Sequence, residues 1–178
     1  MTYTARNTTF KLKPFHCLDS YKLGHPDQYP DDTRQVYSNF TPRNDRLSGI
    51  PDNLHEGKVV WLGMQGTLLE YVNLWDEEFF KKPLGEVLAA WINRVPAFTG
   101  SEANTSRLTA LHKLGYLPLH VKSLQEVSRV NMGVPCFTIT NTHPDFGWLT
   151  NSTETYLSNE SWKLPTVATI AYAYRTLL

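Results

Sequence analysis

The sequence predicts an α+β fold, a mixed or antiparallel sheet with flanking helices. Three observations carry that expectation. Short apolar runs of strand type occur at 34–40, 58–62, 117–122 and 134–140. Amphipathic helical stretches fall in groups rather than one between each pair of strands. The resulting order is helix, strand, strand, three helices, two strands, two helices, which is not the alternation of a doubly wound parallel sheet.

The elements follow in chain order. Residues 1–14 are polar and nearly aperiodic, and an arm is expected over 1–17. Asp19 is placed to cap a short helix over 20–27, interrupted near Pro26. Tyr29–Asp32 is a turn, and RQVYSNF (34–40) alternates as a strand. The Gly/Pro/Asn-rich stretch 44–57 is expected as loop, and KVVWL (58–62) as a buried strand. After Gly63 a helix is expected with Met64, Leu68, Val72 and Trp75 on one face. A second helical stretch, 76–95, carries Phe80, Leu84, Leu88, Trp91 and Val95, and Pro83 should kink or restart it. A third, near 104–114, stops at Gly115, a residue suited to the left-handed position after a helix. LPLHVK (117–122) alternates strictly, and VPCFTIT (134–140) is the last strand. Asp145 is expected to cap a helix to about Ser161, and Thr166 to start a final one.

That final stretch is unusual. Val167, Ile170, Ala171, Tyr174, Leu177 and Leu178 give it a broad apolar side with no cover in sight, as if a neighbouring part of a larger protein were missing. The expected division is an arm at 1–17, an α+β domain at 18–145, and helices at 146–178 leading elsewhere.

Composition narrows the function classes. The chain has 178 residues, 41% hydrophobic and 19% charged, enough for a packed core and too apolar for disorder. Seventeen basic residues balance seventeen acidic ones. This argues against a dedicated nucleic-acid binder or a polybasic membrane anchor. No apolar run is long enough to span a bilayer, and the first twenty residues contain no signal-peptide core. A cytoplasmic location is therefore expected, with Cys17 and Cys136 as thiols rather than a disulfide framework. Without an export signal the five N-x-S/T sequons are incidental.

No phosphate-binding glycine loop, nucleophile elbow or zinc-protease string is present. His16, Cys17, Asp19 and His25 are close in sequence, but their spacing matches no zinc pattern, and no metal ligands are assigned. Gly63 and Gly66 at a strand-to-helix turn fit either a phosphate at a helix N-terminus or close packing, packing being the commoner use. Asp31–Asp32 reads as a solvated turn. The densest segment is LDSYKLGHPDQYPDDTRQVYSNFTPR, 18–43. Its tyrosines could stack on a flat heteroaromatic ligand and an arginine could grip phosphate, or the tyrosines could simply pack.

That segment resembles the N-terminal region of nicotinamide phosphoribosyltransferases. The matching string is Asp19-Ser20-Tyr21-Lys22, His25, Gln28-Tyr29-Pro30, then Val36-Tyr37-Ser38, Phe40 and Arg43. Gly63 and Gln65, the strand LPLHVKSL, and Gly133, Phe137-Thr138, Asn141-Thr142 and Pro144 follow in order. Trp148-Leu149-Thr150-Asn151, Glu154-Thr155, Trp162 and Thr166–Thr169 complete the series.

The resemblance implies the N-terminal domain of a type II phosphoribosyltransferase plus the first helices leading toward a barrel domain. It implies transfer of phosphoribosyl from phosphoribosyl pyrophosphate to nicotinamide in NAD salvage, with Mg2+ carried by the pyrophosphate substrate and its ligands outside this chain. It further implies a homodimer, or a barrel-bearing partner chain, with the site at the interface. Tyr21 then stacks on the pyridine ring, Asp19 lies near the nicotinamide end, and Arg43 contacts phosphate. The motifs of the barrel, which is part of the family's enzymes, are absent from these 178 residues. No catalytic residue is therefore assigned here, and the isolated chain is expected to be inactive. The rivals are a non-catalytic module that dimerises with and modulates a complete enzyme, and an inactive remnant.

Overall fold

The computed structural model of the protein describes residues 12–46 and 48–178. Residues 1–11 of the expected arm lie outside that range. The fold is α+β, with two small antiparallel sheets wrapped by helices. Strands β1 (Tyr37–Phe40), β5 (Phe137–Asn141) and β3 (Leu119–Ser123) form one sheet in the order β1-β5-β3. Strands β2 (Lys58–Trp61) and β4 (Ser128–Asn131) form the other. Phe40 pairs with Phe137 and Val59 with Val130, so apolar residues meet across both sheets.

The helices are α1 (Asp52–His55), α2 (Met64–Trp75), α3 (Leu84–Thr99), α4 (Ser106–Leu114), α5 (Trp148–Ser152) and α6 (Glu154–Leu177). Pro83 does restart the chain as expected: a π-turn over Asp76–Phe80 ends before it, and α3 begins just after it. Gly115, at φ 81°, ends α4 in the left-handed conformation expected of it. The core gathers Trp61, Met64, Phe79, Val87, Leu111, Ile139, Leu149 and Leu157, all at or below 2% exposure. Phe15 is buried among them, so core contacts begin inside the stretch expected as an arm.

Several expectations are corrected. The helix over 20–27 is two 3-10 turns, Ser20–Leu23 and His25–Gln28, because Pro26 removes an amide and Gly24 sits between them. Asp19 holds the cap position but makes no cap hydrogen bond. The strand at 34–40 is confined to Tyr37–Phe40, and the loop at 44–57 contains α1. In α2 the inward face is Met64, Thr67, Tyr71 and Trp75, while Val72 is exposed.

Strand β4 was not foreseen. Its sequence, SRVN, offers one apolar residue, and its place follows from the backbone of β2 rather than from a pattern.

The last two helices divide at Thr153, not at Thr166, and α6 runs through Pro165. The residues α6 buries recur every four positions: Leu157, Ser161, Pro165, Thr169 and Ala173. Most are small, which lets α6 lie close against β2. The Thr169 hydroxyl accepts the Val60 amide at 2.9 Å and donates to the Pro165 carbonyl at 2.7 Å, stitching helix to strand. The large apolar residues Val167, Ile170, Tyr174 and Leu177 point elsewhere and stay exposed, as the sequence predicts.

Candidate functional site

Segment 18–30 is held down by side chains from the region after Trp148. The Thr155 hydroxyl accepts the Asp19 amide at 3.3 Å and donates to the Asp19 carboxylate at 2.9 Å. Asn151 donates to the Tyr29 hydroxyl at 2.9 Å. The Arg107–Asp27 ion pair, at 2.7 Å, ties the same segment to α4. An irregular stretch interrupted by Pro26 and Pro30 acquires a defined position this way, since it cannot form a self-supporting helix.

At the centre is Lys22. Its ammonium is almost fully buried, 2.8 Å from Glu154 Oε2 and 3.6 Å from Asp19 Oδ2. The 3-10 turn makes this possible, because the third residue after Asp19 returns over its carboxylate. Glu154 opens α6, so its carboxylate also faces the positive end of the helix dipole. The Asp19 carboxyl is held below its ordinary range, first by the Thr155 hydrogen bond and then by Tyr21 and Lys22. It is a committed carboxylate at neutral pH.

The Tyr21 hydroxyl donates to Asp19 Oδ2 at 3.2 Å, and the residue is 64% exposed. Partial desolvation and that hydrogen bond hold the phenol above its ordinary range. The hydroxyl is anchored, then, and the ring face is open. His25 lies beside it with ring centroids 5.3 Å apart.

Arg43 follows β1 and is exposed. Among the described residues it has no hydrogen-bond or ion-pair partner. It lines a depression of about 520 Å³ with Ser38, Phe40, Phe137, Glu154, Ser158 and Trp162. Asp19 and Thr155 line a second depression of similar volume, and the two share Glu154, Ser158 and Trp162. The structure therefore brings Asp19 and Tyr21 into direct contact and sets Arg43 across a shared floor at the start of α6. A free guanidinium suits an anion, and an open phenol face suits a flat ring.

Lys22, Glu154 and Thr155 received no role from sequence, although all three stand in the motif series. The available signal was a lysine three residues after an aspartate in a segment unable to form a long helix.

Other candidates resolve differently. The amides of Gly63 and Gln65 donate to the Glu126 carboxylate at 2.6 and 3.0 Å, so an internal anion already takes the N-terminus of α2. Gly63 lies at φ 96°, and a Cβ there would fall 2.9 Å from Leu164 Cβ, which makes close packing the reason for this glycine. Asp31 and Asp32 form an exposed turn. Cys17 and Cys136 are free, and burial pushes both thiols up to about 11. Among the described residues, three metal-ligand types converge at Asp45, Asp52 and His55. There His55 bonds the Pro51 carbonyl at 3.2 Å and Asp45 at 3.1 Å, pinning α1 to the loop before it.

Comparison with known proteins adds the following. The chain is 43% identical over 172 residues to the nicotinamide phosphoribosyltransferase of Acinetobacter baylyi, covering 96% of this chain and 34% of that protein. It is 27% identical over 206 residues to the nicotinamide phosphoribosyltransferase of Mycoplasma pneumoniae, covering 100% of this chain and 41% of that one. With the Mycoplasma genitalium protein of the same name it shares 26% over 197 residues, 95% of this chain and 39% of that one. No protein-family model matches the chain. The chain thus spans about a third to two fifths of the length of these curated relatives. The resemblance read from its motifs holds along nearly all of it.

Proposed function

As a homologue of the nicotinamide phosphoribosyltransferases, the chain, we propose, forms one wall of a phosphoribosyl-transfer site and corresponds to the N-terminal domain of a type II enzyme of that kind. The reaction joins nicotinamide to the ribose of phosphoribosyl pyrophosphate, giving nicotinamide mononucleotide and pyrophosphate. The carrying observation is the 43% identity over 96% of the chain. The arrangement of Asp19, Tyr21 and Arg43 around the start of α6 supports it.

In this reading the exposed Tyr21 ring stacks on the pyridine. Its hydroxyl, held by Asp19, fixes the ring plane, and Lys22 and Thr155 fix Asp19 in turn. Arg43 grips a phosphate oxygen pair with its planar fork. Pyrophosphate departure builds positive charge at the anomeric carbon, so catalysis depends on holding ring and phosphates in line. A wall of this kind positions without itself reacting. The carboxylate beside Arg43, Glu154, is already paired with Lys22. These residues do not make a magnesium site, and no step here passes through the metal, which would arrive with the pyrophosphate. The second half of the site comes from a barrel-bearing polypeptide, as a second copy of a longer chain or a separate partner. The second reading is a non-catalytic module that dimerises with a complete enzyme and modulates it.

The test mixes this chain with a barrel-bearing partner and measures nicotinamide mononucleotide formation. The chain alone should give none. In the mixture, Tyr21→Ala should weaken nicotinamide use by up to about tenfold, a stack being worth ~0.5–1.5 kcal/mol beyond area. Tyr21→Phe should be milder, and Arg43→Lys should raise the requirement for phosphoribosyl pyrophosphate instead. Equal damage from Tyr21→Ala and Tyr21→Phe would assign the effect to the hydroxyl. A rate change on adding this chain to an already complete enzyme would favour the modulator.

A further inference from the structure

The loop after Arg43 and the short helix α1 bring together three side chains able to bind a metal: Asp45, Asp52 and His55. Their ligating atoms all lie within 4.8 Å of one another. None of the three lines the depressions beside Asp19 or Arg43. His55 is buried at 2% exposure, Asp45 is half-buried and Asp52 is exposed.

The buried imidazole is the informative member. Its Nδ1 lies 3.2 Å from the Pro51 carbonyl oxygen and its Nε2 3.1 Å from Asp45 Oδ2. A carbonyl and a carboxylate are both acceptors, whereas a neutral imidazole carries one N–H. One of the two contacts therefore sets lone pair against lone pair. A cation between Nε2 and Asp45 removes that conflict, because Nδ1 then keeps its proton for Pro51. A metal-binding histidine ordinarily donates its other N–H to such a carbonyl, which fixes the ring.

Charge and geometry agree with this. Among the described residues Asp45 has no ion-pair partner but His55, and the Asp52 carboxylate has none. Lys58 and Arg129, the cations at the end of α1, go to Glu56. Donors bonded to Zn2+ at about 2.0–2.2 Å stand about 3.3–3.6 Å apart in a tetrahedron. Nε2 and Asp45 Oδ2 are already near that spacing. Asp52 is free to turn inward, and its exposure leaves an entry path from solvent. One imidazole with two carboxylates suits a divalent transition metal better than Mg2+ or Ca2+, which take oxygen ligands. A second proton on the ring would answer Asp45 only and leave Asp52 without a role.

We infer that Asp45, Asp52 and His55 form a structural site for a divalent transition-metal ion of the Zn2+ kind, fastening α1 to the loop after Arg43, with water completing the coordination. The inference does not rest on the phosphoribosyl-transfer reading, and its test reads binding rather than turnover.

The probe is Zn2+ alone, added to the chelator-stripped full chain at pH 7.5 and followed by equilibrium dialysis and by the unfolding midpoint. One saturable equivalent and a raised midpoint are expected. Asp52→Asn should weaken binding at least about tenfold and leave the metal-free midpoint unchanged, since that side chain bonds nothing else. Asp45→Asn should weaken binding similarly. Ring-nitrogen spectra of the Zn2+-loaded chain should show His55 protonated on Nδ1 alone. Four results would overturn the inference. They are no saturable equivalent, an affinity unchanged in Asp52→Asn, equal competition by Mg2+, and a His55 ring that keeps both protons at saturating Zn2+. The second would put the ion on other histidines, and the last would make the bridging cation a proton.

Discussion

Lys22 shows how much one buried cation can organise. Its two carboxylate partners keep contact with solvent, whereas the ammonium does not. The consequences of breaking the cluster are therefore unequal. Lys22→Met leaves Asp19 and Glu154 free to hydrate and should cost about 1–2 kcal/mol, a charged hydrogen bond discounted for that exposure. Glu154→Ala strands the ammonium with only the longer Asp19 contact and should cost more, since an uncompensated buried charge dominates the balance. Urea unfolding of the two variants decides this, and a larger loss for Lys22→Met would place the controlling desolvation on the carboxylates. His16 makes a different prediction. Burial, with Arg94 and Lys13 nearby, lowers its pKa from 6.5 to about 4, and its Nε2 has no hydrogen-bond partner among the described residues. Between those values the unfolded chain binds a proton that the folded chain refuses, so stability falls as pH drops from 6.5 toward 4. Above 6.5 both states are neutral and the contribution is flat. Unfolding free energies at pH 7.5, 6 and 5 should show a shallower decline for His16→Gln. Asp19 acts lower, its depressed pKa giving stability that is lost only as pH falls below the ordinary carboxylate range.

Among the elements, the turn that joins β3 to β4 holds a strained residue, and the turn that joins β2 to α2 holds a close approach. Val127 adopts φ 67° with its side chain in solvent, while its amide donates to the Trp61 carbonyl at 2.6 Å. A β-branched residue pays steric energy in the left-handed region and here gains no packing in return. Val127→Gly should therefore stabilise the protein by about 0.5–1 kcal/mol, the relieved strain exceeding the extra freedom glycine brings to the unfolded chain. Gly63→Ala should do the opposite and cost at least about 2 kcal/mol, combining positive-φ strain with overlap on Leu164. Chemical denaturation of both variants checks the signs. If Gly63→Ala were neutral, α6 would not press on this turn as closely as its small-residue face implies.

The whole molecule has an inverted final helix. α6 packs through Leu157, Ser161, Pro165, Thr169 and Ala173, and leaves Val167, Ile170, Tyr174 and Leu177 uncovered. An exposed stripe of that kind drives association. The isolated chain should sediment as oligomers or concentration-dependent aggregates, and Val167→Lys with Ile170→Lys should shift it toward monomer without lowering its unfolding midpoint. A clean monomer before substitution, with α6 strongly protected from hydrogen exchange, would contradict this.

Local rules on neighbouring residues account for what was legible in the sequence. Gly115 stops α4, Pro83 restarts α3, and the alternation of Leu117, Leu119 and Val121 marks β3, because each signal acts within a few residues of itself. Asp19, Tyr21 and Arg43 could be named from a motif for a related reason: the order of its pieces along the chain survives without coordinates. The structure places Asp19 and Tyr21 together and Arg43 at a neighbouring depression, while their roles await the experiments above. What only the tertiary structure decided involves partners far apart in the chain. β4 exists because β2 finds backbone partners there along its whole length, from Lys58 to Trp61. Glu126 occupies the α2 N-terminus from 61 residues beyond Gln65. Lys22 is buried because Glu154 arrives from 132 residues away, and α6 is held to the β2 edge because the Thr169 hydroxyl takes the Val60 amide. A sequence records the chemistry of each residue and its local periodicity. Which distant group satisfies a buried donor or charge is settled only when the elements pack.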